Sequence, residues 1–195
     1  EAGAVYRVSA DAAGRPVCAI FGADRARGFC GSGLVDLVAC LRRSARLTVT
    51  GRFADGAEAL PVPVGDETLS LGWRDVDALQ RAKAAIGAGI AVLCAQAGIA
   101  VGDLRRVVAA GLFGRNLDIA NAQAIGLLPR LPADAIELAG NTALAGAAGL
   151  LLSSAAGQEL RRCREAARLV NLARVSEFDD AFLANLYLQP LGAEP

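Results

Sequence analysis

Three glycine-containing turns are the segments of this sequence best suited to hold a ligand. They are Cys30-Gly31-Ser32-Gly33, Gly111-Leu112-Phe113-Gly114 and Gly140-Asn141, and each borders a strand or helix pattern. Without a side chain, glycine lets backbone N–H groups approach a bound molecule, and a following helix N-terminus favours a phosphate. Three such turns at the ends of strands could line one nucleotide cleft. A tight strand-to-helix connection also uses glycine for structural reasons, so each turn alone leaves both interpretations open.

Several other kinds of site are excluded by residues and motifs that the sequence lacks. Neither G-x-G-x-x-G nor G-x-x-x-x-G-K-[ST] occurs, which excludes a Rossmann site and a P-loop. The absence of His excludes Ser-His-Asp and Cys-His catalysis and His-containing zinc sites within this chain. No two of the five cysteines have C-x-x-C spacing, so we expect no metal site. We expect them to be free thiols in a cytoplasmic protein: Cys18, Cys30, Cys40, Cys94 and Cys163.

One cation and two polar residues are further candidates for contacts with a ligand. Lys83 follows Leu79 by four residues in the middle of a predicted helix with an otherwise apolar stripe. Its ammonium could extend along the helix to water, or it could point into a polar cleft and contact a ligand. Asp118 and Asn141 each precede a helical pattern, where an N-cap is the simpler interpretation.

Alternating strand and helix patterns predict an α/β domain with a mixed sheet flanked by helices. Residues 4–9 and 17–21 predict a hairpin, and residues 45–73 predict a loop with short strands. Residues 142–153 are nearly all Ala, Gly and Leu, which predicts a helix buried on most sides. Further helices are predicted after Gly33, between an N-cap at Asp75 and Gly98, and at 119–126, 158–168 and 179–188. Further strands are predicted at 106–110, 136–139 and 169–172.

Composition indicates a folded domain without a strongly charged partner surface. Apolar residues make up 54% of the 195 positions, and 20 basic residues balance 20 acidic ones. This balance gives no reason to expect binding to nucleic acid or to an anionic membrane. The apolar stretch at 86–101 is short for a membrane span and is interpreted as part of a buried helix.

Five motifs follow one another along the chain. They are GFCGSGLVDL at 28–37, DVDALQRAKAAI at 75–86, AGLFG at 110–114, IGLLP at 125–129 and GNTALAGA at 140–147. In this order they resemble the C-terminal region of the reductive activators of corrinoid proteins, which are ferredoxin-containing, ATP-dependent activases. The resemblance extends over about residues 4–188.

The resemblance implies the ribonuclease H-like fold of the sugar kinase, heat-shock chaperone and actin superfamily, with nucleotide bound between two similar subdomains. By position, it implies a phosphate-side role for the first glycine turn, an adenosine-side role for the second, and a place near the cleft for the third. The implied nucleotide contacts are Gly31, Ser32, Gly33, Lys83, Gly111, Leu112, Phe113, Gly114, Gly140 and Asn141.

The resemblance also implies an activity and its cofactors. Such activases return cobalt(II) corrinoid to cobalt(I), using ATP with Mg²⁺ and electrons from a [2Fe–2S] cluster in a separate domain. The implied partner is the corrinoid protein of a methyltransferase system, and a homodimer is compatible with the family.

The sequence departs from this family in its phosphate-binding loops. The superfamily uses two D-x-G-T-type loops, whereas Asp24 and Asp66 are followed by other residues. We therefore expect residues 1–195 to be a single domain, most of the second actin-like subdomain, without the iron–sulfur domain or the first subdomain and inactive alone. Two alternatives stay open: a non-catalytic module that dimerises or binds a corrinoid protein, and a small-molecule kinase of the same superfamily.

Overall fold

The computed structural model describes residues 1–111, 116–153 and 155–192. In these ranges, sheets flanked by helices confirm the predicted α/β class, although the strands divide among three small sheets. The strands are β1 (Ala4–Ala10), β2 (Pro16–Ile20), β3 (Gly28–Phe29), β4 (Ala59–Val64), β5 (Glu67–Gly72), β6 (Val107–Ala110) and β7 (Ile136–Gly140). The helices are α1 (Gly31–Arg43), α2 (Trp73–Gln96), α3 (Ile119–Ala124), α4 (Thr142–Leu152), α5 (Ala156–Ala166) and α6 (Phe178–Ala184).

The first sheet carries α1 and holds part of the main core. Strand β1 pairs antiparallel with β2, which confirms the predicted hairpin, and parallel with the two residues of β3. The face of α1 that includes Leu37, Val38 and Leu41 is fully buried, because it packs on β1 and on the side chains around Leu47. This helix is therefore fixed closely against the sheet.

The segment at 45–73, predicted as a loop with short strands, contains the β4–β5 hairpin, which leads directly into α2. The predicted N-cap Asp75 is wrong by three positions, since Gly72 is the N-cap residue. The Asp75 carboxylate instead accepts a hydrogen bond from the Gly72 N–H at 2.8 Å. This contact places the negative charge in the first turn, where the helix dipole favours it.

Helix α2 is a core helix whose buried face differs from the predicted stripe. It is long and apolar enough to cross a membrane by length and composition, but half of its most apolar window is buried. The predicted apolar stripe comprises Val76, Leu79, Ile86, Ile90 and Leu93; it is correct at Val76, which is buried, but Ile86 and Leu93 are about half exposed. Lys83 and Ala88 are buried as well, because α2 turns small residues and one cation toward α6.

Residues 185–191, which we call the C-terminal strap, follow α6 across α2 and α1. The strand predicted at 169–172 is wrong, since the chain there forms no strand and leads into a short 3₁₀ turn at Leu172–Arg174. The strap is held mainly through its backbone, because side chains from α1 and α2 donate to its carbonyl oxygens. The hydrogen bonds are Lys83 to Asn185 (2.6 Å), Gln80 to Leu186 (2.8 Å) and Arg42 to Leu188 (3.0 Å), and Leu188 N–H donates to Val49 (2.8 Å).

The parallel β6–β7 pair and α4 form the least covered part of the molecule. Both predicted strands are confirmed, and an ion pair between Arg106 and Glu137 joins their beginnings. The predicted burial of α4 is wrong: none of its residues is buried, and Leu151 and Leu152 are each 88% exposed. The reason is that the part of the chain described here offers α4 little contact beyond the polar helix α5.

Candidate functional site

Two of the three glycine turns lie side by side at one sheet edge. Because β6 and β7 are parallel, their carboxyl ends meet there, and the Gly111 N–H donates to the Gly140 carbonyl at 2.6 Å. Both glycines have positive φ (101° and 65°), and a Cβ on either would meet no atom of the described residues within 4 Å. This open edge is where α/β domains commonly bind ligands.

The start of α4 completes this edge. Asn141 is the N-cap residue of α4, as predicted, and its Oδ1 accepts the Leu144 N–H at 3.0 Å. The N-terminus of α4 therefore directs its field toward the same edge as the two glycines. Leu112, Phe113 and Gly114, the other residues of the second turn, lie outside the described residues.

The first glycine turn has a structural explanation in its own contacts. A methyl group on Gly33 would overlap the Val5 carbonyl oxygen and lie 2.9 Å from the carbonyl carbon. The Ser32 hydroxyl donates to the Tyr6 carbonyl at 2.8 Å, so it also faces β1. Of the three predicted phosphate-side residues, only Gly31 is exposed. A nucleotide role for these residues stays a prediction.

The Lys83 side chain reaches neither water nor an open cleft in this structure. Its side chain is buried, with 1% of its area exposed, and Nζ donates to the Asn185 carbonyl of the strap. Burial lowers the pKa of Lys83 from 10.5 to about 8. A nucleotide contact by Lys83 stays a prediction, and it would require the strap to move.

A buried polar network that sequence reasoning missed joins β1, α1 and α3. The Asp36 carboxylate accepts the Val8 N–H at 3.1 Å and the Asn121 amide at 2.7 Å, and Asn121 Oδ1 accepts from Arg43 at 2.6 Å. Burial raises the pKa of Asp36, although the Asn121 and Val8 hydrogen bonds act in the opposite direction. The available signal was an acidic residue directly between Val35 and Leu37 on an apolar helix.

Replacing Asp36 with asparagine is expected to lower the free energy of unfolding by about 1–2 kcal/mol. The new amide can satisfy either the Val8 N–H or the Asn121 amide, but not both, and Asn121 cannot flip while its oxygen accepts from Arg43. Urea unfolding of the variant measures the loss. The matched control is Asp134→Asn, at an exposed position, which should change stability by less than about 0.5 kcal/mol; equal effects would contradict the role of the network.

The described residues contain no group suited to hold a metal ion or cluster. No three His, Cys, Asp or Glu side chains come together within 1–111, 116–153 and 155–192. The five thiols are free, and burial raises the pKa of both Cys18 and Cys40.

Comparison with known proteins identifies the family. The model of the C-terminal domain of RACo, the ASKHA domain, matches residues 1–195. The chain belongs to this family. The corrinoid activation enzyme RamQ of Eubacterium limosum is 32% identical over 210 residues, which cover 94% of this chain and 35% of RamQ. A solved reductive activator for a corrinoid, iron–sulfur protein matches with a TM-score of 0.85 and 29% identity, covering 97% of this chain and 33% of the activator.

These matches confirm the resemblance and the fold that it implied. The ASKHA domain described here spans about a third of the length of both relatives.

Proposed function

We propose that this ASKHA domain is the second actin-like lobe of a cytoplasmic, ATP-dependent reductive activase that returns a corrinoid protein from cobalt(II) to cobalt(I). The observation that carries the proposal is the match of the whole chain to the C-terminal domain of such activators, with the same three-dimensional arrangement. The electron would come from a [2Fe–2S] domain elsewhere in a complete activator. The relatives named above are a corrinoid activation enzyme and a reductive activator.

In this proposal the domain supplies one wall of the nucleotide site. Backbone at Gly111 and Gly140 lies open, and the N-terminus of α4 favours the negative charge of a phosphate. Mg²⁺ and the remaining phosphate contacts would be held by another region, because neither D-x-G-T-type loop of the superfamily occurs in this sequence.

Reduction assays on the natural gene product test this function. The protein is supplied with a low-potential chemical reductant, MgATP and a cobalt(II) corrinoid protein, and the loss of the cobalt(II) signal is followed by electron paramagnetic resonance. We expect one-electron reduction to cobalt(I) that requires ATP and is accompanied by hydrolysis to ADP and phosphate. Equal rates with and without ATP would refute the proposal.

Replacing Gly111 with valine in the same protein is expected to weaken ATP binding by at least about tenfold. A valine there must adopt a φ that L side chains rarely tolerate, and it fills the open space at the edge. Titration calorimetry with a non-hydrolysable ATP analogue measures the affinity. Gly65→Val is the matched control, since Gly65 also has positive φ and open space but lies in the β4–β5 turn; the assignment fails if both variants bind ATP alike.

A second candidate function is a binding module for the corrinoid protein. The exposed apolar helix α4 favours it, because such a surface is typical of protein interfaces. Retention of a corrinoid protein by this chain alone, without nucleotide, would support the module. No retention at micromolar concentration would count against it.

A further inference from the structure

A cavity of about 550 Å³ opens between the segment at 50–58 and the first two turns of α2. Small-molecule sites in proteins commonly have volumes of about 300–1,000 Å³. Helix α2 lines the cavity with Trp73, Asp77 and Gln80, which share one helix face because they are spaced at i, i+4 and i+7. Neither Gly111 nor Gly140 lines it, so the cavity is separate from the open edge of β6 and β7.

Two charges of opposite sign line this cavity without pairing with each other. Arg52 and Glu58 are exposed, and the side chain of neither forms an ion pair or a hydrogen bond with any described residue. Asp77, the third charged residue of the lining, already accepts a hydrogen bond from the Arg81 guanidinium at 2.8 Å. The cavity therefore offers a guanidinium and a carboxylate to a molecule that carries both charges.

A buried amide adds a hydrogen-bond acceptor to the lining. Gln80 is 9% exposed, and its Nε2 donates to the Leu186 carbonyl of the strap at 2.8 Å. Because the nitrogen faces this carbonyl, Oε1 lies on the other side of the amide, where a Cβ on Gly51 would overlap it. No described group donates to Oε1. A nearly buried acceptor without a donor is costly, and an N–H group of a molecule in the cavity would satisfy it.

Trp73 supplies an apolar wall to the same cavity. It is the first residue of α2 and is 48% exposed. Its backbone N–H donates to the Glu58 carbonyl at 2.9 Å, which holds the ring close to that residue. The Arg74 guanidinium lies over the ring, 5.4 Å from its centroid, and the ring still lines the cavity. An apolar side chain of a bound molecule can pack on this wall.

We infer that this cavity binds a free α-amino acid with an apolar side chain. The carboxylate of the amino acid pairs with Arg52, and its ammonium pairs with Glu58 and donates to Gln80 Oε1. Its side chain packs on Trp73. A simple amine would leave Arg52 without a partner, and a simple carboxylic acid would do the same to Glu58, so the lining favours a molecule that carries both groups. This site goes beyond the proposed function and does not depend on ATP or cobalt chemistry.

Titration calorimetry of the natural gene product with L-leucine tests the site. Two analogues serve as comparison: leucinamide lacks the carboxylate, and 4-methylpentanoate lacks the ammonium. We expect L-leucine to bind with a dissociation constant of about 1 mM or below, and both analogues to bind at least about tenfold more weakly. No saturable binding of L-leucine, or equal affinity for the three compounds, would overturn the inference.

Tryptophan fluorescence locates the bound amino acid, because Trp73 is the single tryptophan of the 195-residue chain. L-leucine should change this fluorescence, and the change should saturate at the concentrations found by calorimetry. Binding that leaves the fluorescence of Trp73 unchanged would place the amino acid elsewhere and overturn the inference.

Two substitutions at exposed positions identify which charge recognises which end of the amino acid. Arg52→Gln should weaken L-leucine binding by about tenfold and abolish its advantage over leucinamide. Glu58→Gln should weaken binding by a similar factor and abolish the advantage over 4-methylpentanoate. Arg105→Gln and Glu165→Gln are the matched controls, since both residues are exposed and lie outside the cavity. The inference fails if the cavity variants bind L-leucine as the controls do.

Competition with MgATP separates this cavity from the proposed nucleotide site. The affinity for L-leucine should stay unchanged when MgATP is added, because the cavity and the open edge at Gly111 and Gly140 share no residue. Competitive displacement of L-leucine by ATP would assign the cavity to the nucleotide and overturn the inference. Binding of L-leucine without ATP-dependent corrinoid reduction would refute the proposed function and support the amino-acid site.

Discussion

Replacing Gly33 with alanine is expected to lower the free energy of unfolding of this domain by about 2–3 kcal/mol. The added methyl group would overlap the Val5 carbonyl oxygen, so α1 must move away from β1. That shift disturbs the packing of Val35 and Val38, which are fully buried. Overpacking of this kind costs about 1–3 kcal/mol or more, and it outweighs the gain of somewhat under 1 kcal/mol that alanine brings to a helix. Urea unfolding followed by circular dichroism gives the difference.

A helical glycine with open space around it is the matched control for this substitution. Gly146 lies in α4, and a Cβ there would meet nothing within 4 Å. Gly146→Ala should therefore leave stability unchanged or raise it by up to about 1 kcal/mol. If Gly33→Ala behaved like Gly146→Ala, the close approach of α1 to β1 would not be the reason for glycine at position 33.

Above pH 8 the stability contributed by Lys83 is expected to rise with pH, by up to about 3 kcal/mol. The folded chain holds Lys83 at a pKa of about 8, whereas the unfolded chain has the ordinary 10.5. Between these values the unfolded state binds more protons, so each pH increment favours the folded state. Below pH 8 the lysine is protonated in both states, and the full cost of burying the ammonium is present.

Comparison with Lys83→Met isolates this effect from other groups that titrate in the same range. Methionine keeps an unbranched side chain of similar length but cannot be charged. The difference in free energy of unfolding, wild type minus variant, should increase between pH 8 and 10.5 and stay level below pH 8. A level difference across the whole range would mean that Lys83 is not desolvated by the strap.

The local patterns of this sequence predicted most elements correctly, because each rests on nearby residues. The hairpin of β1 and β2, the strands β6 and β7, and the cap residues Asp118 and Asn141 follow from turn chemistry and short apolar runs. The pairing of the second and third glycine turns follows from parallel strands, whose ends must meet.

The features that sequence reasoning missed depend on residues far apart in the chain. Lys83 is buried because residue 185 crosses it, and Asp36 is satisfied by Asn121, 85 positions later. Neither contact leaves a periodic signal. The prediction that α4 is buried was wrong for another reason. An apolar composition indicates that a helix needs a packing partner, but it does not indicate which segment provides that partner. The roles of the glycine turns in nucleotide binding stay predictions.

The C-terminal strap covers a residue of the interior, Lys83, that is synthesised about a hundred positions earlier. Its three side-chain hydrogen bonds join pairs of residues that are separated by 102, 106 and 146 positions in the chain. Closing such long segments has a high entropic cost. The strap is synthesised after α2, so Lys83 has no acceptor at Asn185 until residue 185 has been added. A nascent chain arrested before residue 185 should therefore leave α2 accessible to proteases and chaperones.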